Sequence, residues 1–300
     1  MRTIIECIPN ISEGRDAKAV EAIAAAVRAI PGASLLDVSS DASHNRSVLT
    51  LVGDPNGVRT AVLALFDAAL PRIDLTKHQG EHPRMGAVDV VPFVPIRGAT
   101  VEDCVALARR VAEDIGRRGV PVYLYEDSAS AEHRRNLADI RKGEFEGFAE
   151  KIRDPRWKPD FGPAQPHPTA GVVAVGARAP LIAYNINLAT KDLAVAERIA
   201  KAIRHIGGGF RYVKAMGVEL ADRGQVQVSI NMTNFKKTPL HRVFECVKSE
   251  AQRSGVAIVG SEIVGLTPAE ALFMAAEHTL RLENFTTAQV LEMRLLEGEE

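Results

Sequence analysis

The order in which hydrophobic periodicities follow one another constrains the fold of this 300-residue chain most tightly. β-Branched residues over 3–8 read as a strand, broken by a Pro- and Gly-containing loop over 9–14. An Ala/Val/Ile-rich helix over 16–30 stops at Pro31-Gly32. Strands over 34–38 and 47–52 follow, then a helix from Asp54-Pro55 to about residue 70, where Asp caps and Pro suits the first turn, and a strand over 88–94. The same six elements recur as strand 181–188, helix 191–204, strands 211–218 and 225–232, helix 239–253 and strand 256–259. Between the two runs lie a helix over 100–118, a strand over 121–125 and a polar stretch through residue 167. Strand, helix, strand, strand, helix, strand is the split βαβ order. The expected class is therefore α+β, two ferredoxin-like (split βαβ) subdomains with helices outside and the other sheet faces free to meet or to line a central groove. The boundary falls near residues 178–181, giving domains 1–179 and 180–300.

Composition removes several function classes. With 37 Lys plus Arg against 38 Asp plus Glu, the net charge of −1 provides no global field for nucleic acid or an anionic membrane. No window approaches the roughly 18 uninterrupted apolar residues of a membrane span, and the N-terminus lacks a secretory core. Cys7, Cys104 and Cys246 are odd in number and far apart, which indicates neither disulfides nor a zinc knuckle and fits a cytoplasmic chain.

Four segments carry more functional side chains and glycines than their secondary structure requires: E-C-I-P-N-I-S-E-G at 6–14, D-A-S-H-N-R-S at 41–47, H-Q-G-E-H-P-R-M-G at 78–86 and P-D-F-G-P-A-Q-P-H-P-T-A-G at 159–171. All read as loops, where binding and catalytic groups concentrate. The third also fits the H-x-x-E-H zinc pattern, but Gly80 and Pro83 oppose the helix that pattern needs, so no metal is expected. Taken locally, its polar groups suit either a solvated loop surface or a proton shuttle at His82, stiffened by Pro83. Arg46 similarly suits a strand-end cation or an anion clamp. Gly207-Gly208-Gly209 follows a helix instead of leading into one and reads as a stop, not a phosphate cradle. Asp37, His205, His241 and His278 read as structural or surface groups.

At these loops the chain resembles the formiminotransferase family. Residues 6–14 are similar to that family's E-C-V-P-N-F-S-E-G, with conservative changes at Ile8 and Ile11, and residues 78–87 match its H-Q-G-E-H-P-R-M-G-A block throughout. Further similarity lies in P-V-Y-L-Y at 121–125, P-D-F-G-P at 159–163, G-A-R at 176–178, L-I-A-Y-N-I-N-L at 181–188 and V-G-L at 264–266. The resemblance implies formiminotransferase N-terminal and C-terminal subdomains and transfer of the formimino group of N-formimino-L-glutamate to N5 of tetrahydrofolate, a step of histidine degradation and one-carbon metabolism. It places the catalytic role on His82. It places folate contacts on Gly162, Pro163, Ala164, Gln165, Pro166, His167, Pro168, Thr169, Ala170 and Gly171. This loop departs from some members in having no aromatic residue over 164–168, so backbone contacts are expected there. Asn10, Asn45, Arg46, Arg84 and Arg178 are the expected substrate contacts, the arginines as carboxylate clamps. Tetrahydrofolate is the implied cosubstrate, and a homodimer that passes its product to a separate cyclodeaminase the implied setting. The rivals are a transferase using glycine as formimino carrier, side activity on 5-formyltetrahydrofolate, a non-catalytic folate-binding protein and, most remotely, a zinc hydrolase.

Overall fold

In the first unit, β1 (Ile4–Cys7) and β2 (Asn10–Ile11) form one strand line interrupted at Ile8-Pro9. They are followed by α1 (Ala17–Arg28), β3 (Ala33–Asp41), β4 (Arg46–Gly53), α2 (Pro55–Ala69) and β5 (Val88–Arg97). The computed structural model describes residues 3–220 and 223–298, and the chain divides into two compact units after Arg178. Local chemistry accounts for the helices. Asp16 and Asp54 accept hydrogen bonds from the first-turn amides of α1 and α2, and α1 buries Val20, Ile23, Ala24 and Val27 along one stripe. The antiparallel order is β3, β4, the β1/β2 line, then β5.

Beyond β5 the sheet continues in parallel. α3 (Val101–Arg117) is started by a Thr100/Asp103 capping box and leads to β6 (Val122–Glu126), while β7 (Val173–Ala177) inserts between β5 and β6. The polar stretch after β6 supplies two short helices, α4 (Leu137–Arg141) and α5 (Glu144–Lys151). Their Ile140 and Phe148 pack with Met85, Tyr123, Tyr125 and Val172 on the opposite sheet face from α1 to α3. Helices therefore cover part of both faces here, because β5, β7 and β6 are apolar on both sides.

In the second unit, β8 (Ile182–Leu188), α6 (Leu193–Ile203), β9 (Val213–Leu220), β10 (Gln225–Met232), α7 (Leu240–Arg253) and β11 (Ile258–Val264) build a four-stranded antiparallel sheet of order β11, β8, β10, β9. Ile186, Val228 and Ile230 face Ile199 of α6 and Val243 and Val247 of α7, each burial contributing about 1.5–3 kcal/mol. α8 (Ala269–Leu280) and α9 (Leu291–Gly298) extend past the last strand read from the sequence. β11 itself runs longer than expected because Gly260, Ser261 and Glu262 interrupt the apolar signal, not the strand. No helix among the described residues is long and apolar enough to cross a membrane.

Candidate active site

Asn45 joins three of the four loops. It ends the β3–β4 turn with φ +48°, a left-handed conformation that Asn tolerates better than most residues. Its Oδ1 accepts from the Gly14 amide at 2.9 Å and its Nδ2 donates to the Gln79 carbonyl at 3.0 Å. Its own carbonyl accepts from His78 Nε2 at 2.9 Å. Close approach is possible because Gly14 and Gly80 lack a Cβ, which would collide with backbone atoms of Asp41 and Arg46 and of His44.

His78 and Arg84 complete this scaffold. With Nε2–H donating to Asn45, His78 Nδ1 is left to accept from Arg84 Nε at 3.2 Å. Both ring nitrogens are thus engaged, and residues 78–82 are not helical, so the two-histidine zinc geometry does not form. The buried Arg84 makes a fork to Glu146 at 2.7 and 2.6 Å and further bonds to Glu144 and the His78 carbonyl. Its side-chain hydrogen bonds are thereby spent within the chain, which departs from the expected carboxylate clamp. An open cleft of about 720 Å³ between residues 75–80 and 143–146 is lined by His78 and Arg84 but not by His82.

A buried charge cluster lies beside His82. Asp89, fully buried on β5, accepts from the Met85 amide at 2.8 Å, from Arg46 Nη1 at 3.0 Å and from Arg141 Nη2 at 2.7 Å. Burial alone would raise its pKa, but Arg46, Arg141 and the Met85 amide outweigh it and hold the carboxyl at about 2. Arg46 Nε also donates to Asn10 Oδ1 at 3.1 Å, and Asn10 Nδ2 donates to the Ile8 carbonyl. Arg141 ends α4, whose C-terminal carbonyls are capped by Lys151 Nζ through bonds to Asp139, Ile140 and Lys142. Two guanidiniums thus share one carboxylate, leaving an excess of positive charge.

His82 is half-buried, and its Nδ1 lies 2.7 Å from the Pro83 carbonyl. Burial, then the charges of Arg46 and Arg141, depress its pKa from 6.5 to about 4, against a smaller opposing effect of Asp89. At neutral pH the ring is uncharged. Nδ1–H donates to Pro83, and Nε2 presents a lone pair that can take up a proton. Such a ring can accept a proton without first losing one.

The remaining expected residues divide between two places. The loop over 162–171 is stitched to the His82 loop: the Ala87 amide donates to the Ala170 carbonyl, the Val172 amide to Met85, and Gly86 bridges Gly171. Its tip closes through paired backbone bonds between His167 and Gly171, with His167 Nδ1 accepting from the Ala170 amide. Ala164, Gln165 and Pro168 are exposed. Arg178 follows β7, its amide bonded to Phe93, and its charge acts on Glu6 and Tyr125. Phe93 is four residues along β5 from Asp89, about 13 Å at strand rise, so the backbone of Arg178 stands apart from that of Asp89.

Asp89 and Arg141 were missed by sequence reading. A lone Asp in V-D-V-V-P-F could have signalled a paired buried carboxylate. Nothing in the sequence pointed to its partner on α4.

Comparison with known proteins now defines the class. A model described as the formiminotransferase domain, N-terminal subdomain, matches residues 4–178, and one described as the formiminotransferase domain matches residues 183–295. Glutamate formimidoyltransferase of Streptococcus pyogenes serotype M1 is 53% identical over 298 residues, covering 99% of this chain and 100% of that protein. The Thermoplasma acidophilum protein of the same name is 44% identical, covering 98% and 97%. Formimidoyltransferase-cyclodeaminase of Gallus gallus is 44% identical over 94% of this chain but only 53% of its own length. The fold and these matches define an α+β enzyme of one-carbon group transfer. The chain belongs to the formiminotransferase family.

Proposed function

We propose that this chain transfers the formimino group of N-formimino-L-glutamate to N5 of tetrahydrofolate, releasing L-glutamate and 5-formimidoyltetrahydrofolate, with His82 as the catalytic residue. The neutral imidazole with a free Nε2 beside two buried arginines is the observation that carries the site assignment. N5 attacks the formimino carbon, and the new C–N bond gives a tetrahedral intermediate. Nε2 takes the proton lost from N5 and returns it to the glutamate nitrogen, whose bond to carbon then breaks, so proton and leaving group balance. A histidinium held at a depressed pKa is a strong acid, suited to that second transfer. General acid–base help of this kind contributes about a hundredfold to ten-thousandfold; juxtaposing the two substrates supplies much of the rest.

The excess positive charge of Arg46 and Arg141 suits a substrate carboxylate, with Asn10 orienting Arg46. Arg84 and Asn45 act as positioning residues, and Arg178 is a second carboxylate candidate. The backbone of residues 162–171 offers folate contacts beside His82. We read each unit's strand order as a ferredoxin-like split βαβ arrangement. The same reading includes a cytoplasmic homodimer. It also includes transfer of the product to a cyclodeaminase, the activity named in the Dictyostelium discoideum and Gallus gallus relatives.

The test is spectrophotometric transfer to tetrahydrofolate from formiminoglutamate and formiminoglycine side by side, with wild type and His82→Ala. Glutamate preference and a kcat loss of about a hundredfold or more in the variant are expected. Preference for the glycine derivative overturns the carrier, and an unchanged variant overturns the role of His82.

A further inference from the structure

Arg46 and Arg141 share the Asp89 carboxylate but are held in different ways. Arg46 stands on the paired strand β4, and its guanidinium has two anchors, Nε on Asn10 Oδ1 at 3.1 Å and Nη1 on Asp89 Oδ2 at 3.0 Å. Arg141 has one. Its Nη2 donates to the same Asp89 oxygen at 2.7 Å, while its Nε is buried and has no hydrogen-bond partner among the described residues. A guanidinium that meets a carboxylate through a single N–H lacks the fork geometry that fixes its plane. Its place is then set by the backbone that carries it.

That backbone is not stable by itself. α4 has five residues, well below the roughly 12 at which an isolated helix begins to hold in water. Asn136 caps its N-terminus, and Ile140 is the residue it buries. At its C-terminus, carbonyls on both sides of Arg141 in the chain converge on one side chain. Lys151 Nζ, from the end of α5, donates to the carbonyls of Asp139 at 2.7 Å, Ile140 at 2.6 Å and Lys142 at 2.9 Å. An ammonium has three N–H groups, and all three are used. The same nitrogen lies 3.9 Å from the centre of the Trp157 ring and 5.2 Å from that of Phe148. Both rings pack on Tyr123 of β6, so one cation ties the end of α4 to the sheet.

We propose that Lys151 is a positioning residue for the transfer reaction, fixing the end of α4 and thereby keeping the Arg141 guanidinium against Asp89 beside His82. This inference rests on the assignment of His82 above. The groups that face His82 are Arg46 of β4, Arg141 of α4 and Asp89 of β5, with His44, paired to Asp41, edge-on at 6.1 Å. Around Lys151 stand Asp139 and Lys142, Glu150 of α5 and Asp154 after it, with His133 edge-on to Trp157 at 5.0 Å. Releasing the end of α4 draws Arg141 away from His82 and leaves Asp89 less neutralised. Both changes favour the protonated imidazole, so His82 should hold its proton to higher pH.

The acid limb of kcat/KM for formiminoglutamate reads this directly. Lys151→Met keeps an unbranched stem beside Trp157 and removes the charge. Its limb is expected about one pH unit above that of wild type, the effect of losing a neighbouring like charge. Arg141→Met is expected to move the limb at least as far, and combining the two substitutions to move it no further. A lysine that served only the stability of the fold would lower the urea midpoint and leave the limb in place. An unmoved limb, or shifts that add in the double variant, overturns the proposal. Lys151→Arg keeps a cation, but its planar fork cannot meet three converging carbonyls, so the limb should move the same way by less. That variant decides the matter, with the same overturning result, if Lys151→Met does not fold by circular dichroism. Full activity of His82→Ala overturns the assignment of His82 itself, whatever the Lys151 variants do.

Discussion

The last strand of each strand–helix–strand–strand–helix–strand run holds the same place in its unit, yet β5 and β11 have opposite surroundings. β5 is paired on both sides, antiparallel to the β1/β2 line and parallel to β7, and its first seven residues are buried. Among the described residues, β11 pairs only with β8, and it alternates between half-buried and exposed positions. The difference decides what a carboxylate on each strand can be. On β5, Asp89 has no water and must be neutralised by arginines, which makes it a fixed part of the scaffold. On the edge strand, Glu262 accepts through Oε1 from the side-chain amides of Gln227 and Asn185, and among the described residues no arginine or lysine pairs with it. One topology thus provides a locked charge in one unit and an available one in the other.

Asp89→Ala gives the largest expected effect on that contrast. It leaves Arg46 and Arg141 buried without their counterion and should cost about 3–5 kcal/mol in urea unfolding, whereas Glu262→Gln should cost about 1 kcal/mol or less. Equal losses would remove the distinction between locked and available carboxylates.

Acid sharpens the same contrast. Asp89 and His82 both have folded-state pKa values below their ordinary ones, about 2 against 3.8 and about 4 against 6.5. For each, the stabilisation is present above the ordinary value and fades as pH falls through the folded one. Because His82 acts as a base only when neutral, kcat/KM should stay level below pH 6.5 and fall about tenfold per unit only below about 4. An acid limb centred at 6.5 would show that burial and the two arginines do not govern His82. Arg84→Lys should have a comparably small effect, about 1 kcal/mol of stability from loss of the fork to Glu146. The KM for formiminoglutamate should stay within about threefold, while a rise of tenfold or more would return Arg84 to the substrate clamp.

The sequence was legible where burial is one-sided. The strands of the second unit and helices such as α1 expose one face, so their periodicity survives in the residues. β7 was missed because V-A-V-G-A is buried on both faces, and a continuous apolar run carries no period. α4 and α5 were hidden because five- and eight-residue helices are too short for a convincing stripe. In the site, the loops were visible through their glycines, histidines and arginines. Their division of labour was not, since it depends on partners distant in sequence: Glu146 takes up Arg84, and Asp89 holds Arg141. The low proton affinity of His82 likewise comes from burial and from Arg46 and Arg141, which its own segment does not contain.

The bonds converging on Asn45 also have a meaning in time. Gly14 and Gln79 are separated by 65 positions but hang on one side chain, and the Glu81 amide is bonded to Ser43 within the same turn. None of these loops can open far without releasing the others, so they should fluctuate as a single cooperative unit. The amide protons of Gly14 and Glu81 should accordingly exchange with solvent at a shared rate, and Asn45→Ala should split that rate in two. Loops that open together expose His82 or protect it all at once, so one side chain sets how often that imidazole meets water.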